Sequence, residues 1–75
     1  MIRARMVADH ELIGKVGRVT GAIEPGKLGE VMIPIRGGSE SYYAYSADQE
    51  RIETGTRVVV IEHEAGRTVI VSPLA

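Results

Sequence analysis

Glycine-containing turn signals divide this chain into short segments, and none of these segments carries a sustained helical periodicity. Pro-Gly at 25–26, Gly-Gly at 37–38 and Ala-Gly at 65–66 each indicate a turn. The segments between the turn signals are rich in Val, Ile and Thr, and we predict five strands, over residues 12–23, 30–36, 41–46, 56–62 and 67–72. Five short strands with regular turns predict an all-β fold, a small closed or half-closed barrel.

Single residues refine this prediction. Apolar and other residues alternate over residues 30–36, which gives that strand one apolar face, and Pro34 should occupy an edge or bulge because it has no amide donor. Residues 58–61 are apolar on both faces, so the fourth strand should be central or rolled into a barrel. Gly14 and Gly17 inside the first segment predict a bulge or a sharp bend.

The sequence also predicts the local structure of two loops. Residues 62–67 are predicted to form a short hairpin loop between the fourth and fifth strands. Residues 47–54 have room for at most one helical turn, which Ser46 would cap, with Gln49 completing a capping box.

Seventy-five residues suffice for one small domain. We expect residues 1–10, which are weakly patterned, to be a flexible lead-in and residues 11–75 to form the barrel domain. The alternative for residues 1–10 is a junction to a membrane segment or to another domain.

Composition excludes several kinds of chemistry. The chain has no cysteine, so disulfides, thiolate zinc sites and a cysteine nucleophile are excluded. Nine Lys and Arg residues against ten Asp and Glu residues leave a net charge of −1, whereas proteins that depend on phosphate contacts usually carry a positive excess. No serine lies in a nucleophile elbow. We therefore expect no enzyme activity and no catalytic residues.

Two further features resemble ligand sites but have simpler explanations. Residues 14–19 hold two glycines with Lys15 and Arg18, yet the segment continues as a strand rather than into a helix, so we predict a bent strand with solvated cations. His10 and His63 are the only histidines. Strand alternation points the glutamates beside His63 away from it, so we predict a solvated surface histidine and no metal or cofactor.

The three tyrosines lie together in the third strand. Alternation places Tyr42, Ala44 and Ser46 on one face and Tyr43 and Tyr45 on the other, which should expose aromatic surface. Nucleic-acid-binding barrels stack bases on such rings, usually with cations between them, but the neighbouring residues here are not basic. We predict a protein contact formed by Tyr43, Tyr45 and Arg36.

Four pieces of sequence, taken in order, resemble a known family. They are residues 12–17 (LIGKVG), the aromatic-x-Ala-x-Ser spacing of Tyr42, Ala44 and Ser46, residues 52–60 (IETGTRVVV) and residues 66–74 (GRTVIVSPL). Their order and spacing resemble the soluble C-terminal domain of NfeD-like proteins over about residues 11–74. The resemblance implies a small five-stranded OB-type β-barrel.

The resemblance also implies a setting. Proteins of this family are typically bacterial or archaeal membrane proteins, and their genes commonly neighbour those of stomatin- or flotillin-like proteins. The resemblance therefore implies a non-catalytic protein–protein interaction module with such a partner, on the cytoplasmic side of a membrane that only segments outside this chain would enter. Whether the chain is an excised domain or a free-standing cytoplasmic protein stays open.

Two alternatives to this reading stay open from the sequence. One is an OB-fold protein that binds single-stranded nucleic acid, and the other is an SH3-like barrel. We expect no small-molecule ligand in any of these cases.

Overall fold

The computed structural model describes residues 12–74, and the strands in that range number five. They are β1 (Val16–Gly21), β2 (Gly29–Ile35), β3 (Gly38–Ser46), β4 (Arg57–Glu64) and β5 (Thr68–Pro73). The predicted lead-in at residues 1–10 and His10 lie outside the described residues. Within residues 12–74, no helix is both long enough and apolar enough to span a bilayer.

The strands close into a barrel in the order β1-β2-β3-β5-β4. All neighbouring strands are antiparallel except β3 and β5, which run parallel, with Tyr43 opposite Thr68 and Ser46 opposite Val71. β1 pairs with both β2 and β4, and the β1–β4 pairing closes the barrel. This order is that of the OB-type barrel. The predicted all-β, five-stranded OB-type fold is confirmed, and the SH3-like alternative is wrong.

Aliphatic side chains from all five strands fill the barrel. Buried residues alternate with more exposed ones along β1, β2, the second half of β3 and the first halves of β4 and β5, as expected where one face of a strand packs into a core. The core consists of Leu12, Val19, Ile23, Val31, Ile33, Tyr42, Ala44, Ile52, Val58, Val60, Val69 and Val71. In a core without phenylalanine or tryptophan, β-branched residues supply most of the buried volume.

Close approach of two chain segments explains two of the glycines. A Cβ atom on Gly17 would lie 2.7 Å from the carbonyl oxygen of Met32. A Cβ atom on Gly29 would lie 2.5 Å from the Cγ1 atom of Ile23, and the Ile23–Ile52 bridge holds that chain segment in place. The irregularity predicted in the first segment is present, but the register shifts between Val19 and Gly21 rather than at Gly14 or Gly17.

Pro34 occupies the position predicted for it. The β1 partners of β2 extend only from Glu30 to Met32, whereas Pro34 pairs with Ser39 of β3. On its β1 side, β2 is therefore an edge at Pro34, and the missing amide costs no ladder bond there.

Two predicted loops differ from the structure. β4 extends to Glu64 opposite Thr68, so the predicted six-residue loop is a turn over residues 65–67, and a register shift between Val60 and Glu62 leaves Ile61 exposed. No helical turn forms over residues 47–54, because Gln49 has a φ of 60°. Ser46 still caps the turn, since its Oγ accepts a hydrogen bond of 3.2 Å from the Glu50 amide.

Candidate functional site

The outer face of β3 carries the exposed aromatic surface. Tyr43 is 56% exposed and Tyr45 is partly exposed, whereas Tyr42, Ala44 and Ser46 are buried. The predicted division of the two faces is confirmed. It arises because successive side chains of a strand point to opposite sides of the sheet, and the inner side here is the barrel core.

The neighbouring strands extend this surface. Tyr43 lies opposite Thr68 of β5, and Tyr45 lies opposite Ile70, whose side chain is partly exposed. Directly opposed residues of paired strands share one face of the sheet. The four residues Tyr43, Tyr45, Thr68 and Ile70 therefore form one continuous patch, which we name the aromatic face.

Carboxylates flank the aromatic face on two sides. Glu30 of β2 lies opposite Tyr43, and in β4 Glu62 lies opposite Ile70 and Glu64 opposite Thr68. All three glutamates are exposed. A patch with aromatic and aliphatic groups at its centre and negative charge at its rim suits a protein surface with apolar and basic groups, and it repels phosphates.

The structure separates Arg36 from the tyrosines. Arg36 lies in the turn between β2 and β3, while Tyr43 lies opposite Glu30 near the other end of the hairpin. Six residues of extended strand separate Glu30 from Arg36, which is about 20 Å at roughly 3.3 Å per residue. Arg36 therefore does not join Tyr43 and Tyr45 in one compact patch, and the contact role of the two tyrosines stays a prediction.

Arg67 lies beside the aromatic face but is held by other groups. Its guanidinium stacks 4.6 Å from the centroid of the Tyr42 ring, and it donates hydrogen bonds of 3.0 Å to a Glu40 carboxylate oxygen and to the Ser41 carbonyl. The hydrogen bond to Glu40 is the largest of the effects that raise the pKa of Arg67. A cleft of about 210 Å³ opens here, lined by Glu30, Ser41, Tyr42, Tyr43 and Arg67.

This arrangement was not predicted from the sequence. Arg67 and Glu40 are 27 positions apart, and only the parallel pairing of β3 with β5 brings them together. No local pattern in the sequence signals that contact.

His63 packs against Tyr42, the same ring that Arg67 contacts. Its ring meets the Tyr42 ring edge-on, with the centroids 6.1 Å apart, and Nε2 lies 3.2 Å from the Gly66 carbonyl oxygen. The prediction of a solvated histidine is therefore wrong, since His63 is half-buried. Within residues 12–74, no three His, Asp or Glu side chains are grouped so that they could hold a metal ion.

Stability at alkaline pH tests the environment of Tyr42. Burial raises the pKa of the Tyr42 hydroxyl above 10.0, and the nearby Glu40 carboxylate adds to the effect. As the pH rises, the Tyr42 hydroxyl ionises at a lower pH in the unfolded chain than in the folded one. Its contribution to the free energy of unfolding is therefore constant below about pH 10 and is lost as the pH rises through the folded-state pKa. Urea unfolding at about pH 9 and 11 should show a smaller alkaline loss in Tyr42→Phe than in the unmodified chain. An equal loss in both would contradict the raised pKa.

Comparison with known proteins gives one family and several similar structures. The model of the NfeD C-terminal domain matches residues 16–72. The soluble domain of the NfeD protein YuaF from Bacillus subtilis is 32% identical, with a TM-score of 0.76 over 93% of this chain and 86% of that one. The C-terminal domain of stomatin operon partner protein 1510-C from Pyrococcus horikoshii is 34% identical, with a TM-score of 0.67 over 89% of this chain and 94% of that one.

A third structure shares the fold at lower identity. It is the soluble domain of a membrane protein implicated in regulation of membrane protease activity from Corynebacterium glutamicum, 24% identical, with a TM-score of 0.67 over 89% of this chain and 98% of that one. No curated protein matches the chain significantly. The matched residues 16–72 include all of β1 to β4 and nearly all of β5.

Proposed function

Since this chain belongs to the NfeD C-terminal domain family, we propose that its barrel is a non-catalytic protein–protein interaction module that acts with a stomatin- or flotillin-type membrane protein. The observation that carries the proposal is the aromatic face, with Tyr43 at 56% exposure and glutamates on both sides. Tyrosine rings that lie exposed on a rigid strand are typical anchors of protein interfaces. The printed name of the relative from Pyrococcus horikoshii, a stomatin operon partner protein, supports the choice of partner.

Charge supports a protein ligand over single-stranded nucleic acid. The residues opposite the aromatic face are glutamates, and the nearby Arg67 is already bonded to Glu40. Barrels that bind single strands combine stacking rings with a positively charged groove. The aromatic face has rings on which bases could stack, but the residues around it are negatively charged instead of positively charged.

We also propose that the barrel works at a membrane surface, as part of a membrane-associated protein and on its cytoplasmic side. Family membership and the stomatin operon name of the relative support the association with a membrane protein. In such a setting, the aromatic face would contact the partner while other segments of either protein hold the complex at the membrane.

Capture of a purified stomatin-like protein from the same genome tests the proposed function. Tyr43→Ala combined with Tyr45→Ala is expected to weaken binding about tenfold or more, because each exposed ring supplies apolar contact area at low entropic cost. Binding is measured by surface plasmon resonance with the full chain immobilised.

Two controls make the test decisive. Thr54→Ala changes an exposed side chain in the loop before β4, outside the aromatic face, and should leave the affinity unchanged. A chemical-shift titration with single-stranded DNA and RNA at low salt covers the alternative function. Unchanged capture by the folded double variant would remove the aromatic face as the contact surface, and salt-sensitive shifts with nucleic acid would overturn the proposal.

A further inference from the structure

Two arginines lie side by side on the outer surface of the barrel, where β1 pairs with β4. Arg18 of β1 is the direct cross-strand partner of Arg57 of β4, and both side chains are exposed. Because their neighbours Val19 and Val58 are buried, both arginines point away from the core. Residues opposed in this way have Cα atoms only about 4.5–5.5 Å apart, so two positive charges share one small area.

Like charges that are directly opposed across two strands destabilise a sheet. Arg51 and Arg67 are held by carboxylates, with Arg51 bonded to both Glu24 and Glu53. Arg18 instead donates a hydrogen bond of 3.1 Å to the Gly55 carbonyl, and among the described residues no carboxylate forms an ion pair with Arg18 or Arg57. This pair therefore offers its positive charge to a group from another molecule.

An apolar groove adjoins the arginine pair. It holds about 350 Å³ and is lined by Val16, Gly17, Arg18, Met32, Pro34, Ser39 and Arg57. Val16 and Met32 are each 36% exposed, which is considerable for aliphatic side chains on strands of a barrel. We name this site the arginine groove.

The backbone at the arginine groove suits an extended chain. The β1–β2 pairing ends at Arg18 and Met32, and the next β2 residue that would bond β1 is Pro34. Proline has no N–H group, so β2 provides no amide donor at the position opposite Val16. An extended peptide could donate to that part of the β1 backbone, as in strand addition.

We propose that the arginine groove binds an extended acidic segment of a protein partner, with one carboxylate between Arg18 and Arg57 and an aliphatic side chain on Met32 and Pro34. Guanidinium groups bind carboxylates with paired hydrogen bonds, which gives both charge and direction. The site lies outside the aromatic face, so the inference goes beyond the proposed function and does not depend on it.

The lining favours a peptide over the other anions. No aromatic side chain lines the arginine groove, so bases have nothing to stack on. The chain carries a net charge of −1, which gives no general attraction to anionic lipid. An aliphatic floor beside two cations instead matches a peptide in which acidic and aliphatic residues alternate.

The experiment uses the full 75-residue chain, labelled with ¹⁵N for NMR. The probe is the acetylated and amidated peptide Leu-Glu-Val-Glu-Leu, and its control is the same peptide with glutamine in place of glutamate. At low salt, we expect the acidic peptide to shift the amide signals of residues 16–18, 32–34 and 57, and the glutamine peptide to bind about fivefold or more weakly.

Charge-removing variants locate the binding. Arg57→Gln and Arg18→Gln should each weaken the acidic peptide about fivefold, while Lys27→Gln, which removes an exposed positive charge from the β1–β2 loop, should leave the affinity unchanged. The unfolding temperature of Arg57→Gln should be equal to or higher than that of the unmodified chain, because the substitution removes the repulsion between Arg57 and Arg18. That readout separates lost binding from lost folding.

Three results would overturn the inference. They are the absence of shifts with the acidic peptide, equal binding of the glutamine peptide, and shifts confined to the aromatic face. Arginine-dependent binding to phosphatidylglycerol vesicles without peptide binding would reassign the groove to lipid. Capture of the stomatin-like protein through Tyr43 and Tyr45 is measured independently of this titration, so the proposed function is tested separately.

Discussion

Replacing Gly29 by alanine is expected to lower the free energy of unfolding by about 3 kcal/mol or more. A Cβ atom at this position would lie 2.6 Å from the Gly21 carbonyl oxygen, 2.7 Å from that of Ala22 and 2.5 Å from the Cγ1 atom of Ile23. Two of these three contacts are backbone atoms, which no side-chain rotation can move. The β1–β2 connection would have to shift, and with it the fully buried Ile23. Urea unfolding followed by circular dichroism measures the loss.

Gly38→Ala is the matched control for this prediction. Gly38 also lies in a strand, and a Cβ atom there would meet nothing within 4 Å. Its substitution should change the free energy of unfolding by no more than about 0.5 kcal/mol. Equal stability of the Gly29 and Gly38 variants would show that the close approach of Gly29 to residues 21–23 is not required.

Ile33→Ala is expected to cost about 3–4 kcal/mol of unfolding free energy. Ile33 is fully buried in the core, so truncation removes three carbon atoms from it and leaves a cavity. A domain of this size has a total stability of about 5 kcal/mol, so most of it would be lost. Thermal and urea unfolding of the variant and of the unmodified chain measure the difference.

The same substitution at position 61 serves as the comparison. Ile61 is 44% exposed, at the register shift between Val60 and Glu62 of β4. We expect Ile61→Ala to cost about 0.5 kcal/mol or less. A similar loss at both positions would mean that burial does not determine the energetic difference between the two isoleucines.

The fold could be predicted where apolar periodicity is strong. Alternation over residues 31–35 and the apolar run at 58–61 located β2 and β4, and glycines and prolines located the turns between strands. Boundaries in polar sequence were not predictable. Ser39 and Glu40 have little tendency to form strands, yet they belong to β3 because the hairpin pairs them with Pro34 and Ile33. The turn at Gln49 likewise depends on a backbone conformation for which an ordinary side chain gives no signal.

The candidate surfaces likewise contain features that the sequence predicts and features that depend on strand pairing. The exposure of Tyr43 follows from alternation along one strand, so the sequence predicted it. The Arg67–Glu40 contact and the Arg18–Arg57 pair each join residues that are distant in the chain, and both depend on which strands are neighbours and in which register. The predicted grouping of Arg36 with the tyrosines needed Arg36 to approach them across the strands, but the hairpin places it at the end far from Tyr43.

Closure of the barrel through β1 and β4 has a consequence for how the chain folds. β1, β2 and β3 can form a local meander in which β1 pairs with β2, but the other edge of β1 finds no partner until residues 57–59 arrive. At synthesis rates of about 5–20 residues per second, that edge stays open for seconds on a nascent chain. Long-range pairings of this kind slow folding, and open edges invite pairing with other chains. The exposed Arg18 places a positive charge on that strand, and charged side chains on an open edge disfavour pairing with other chains.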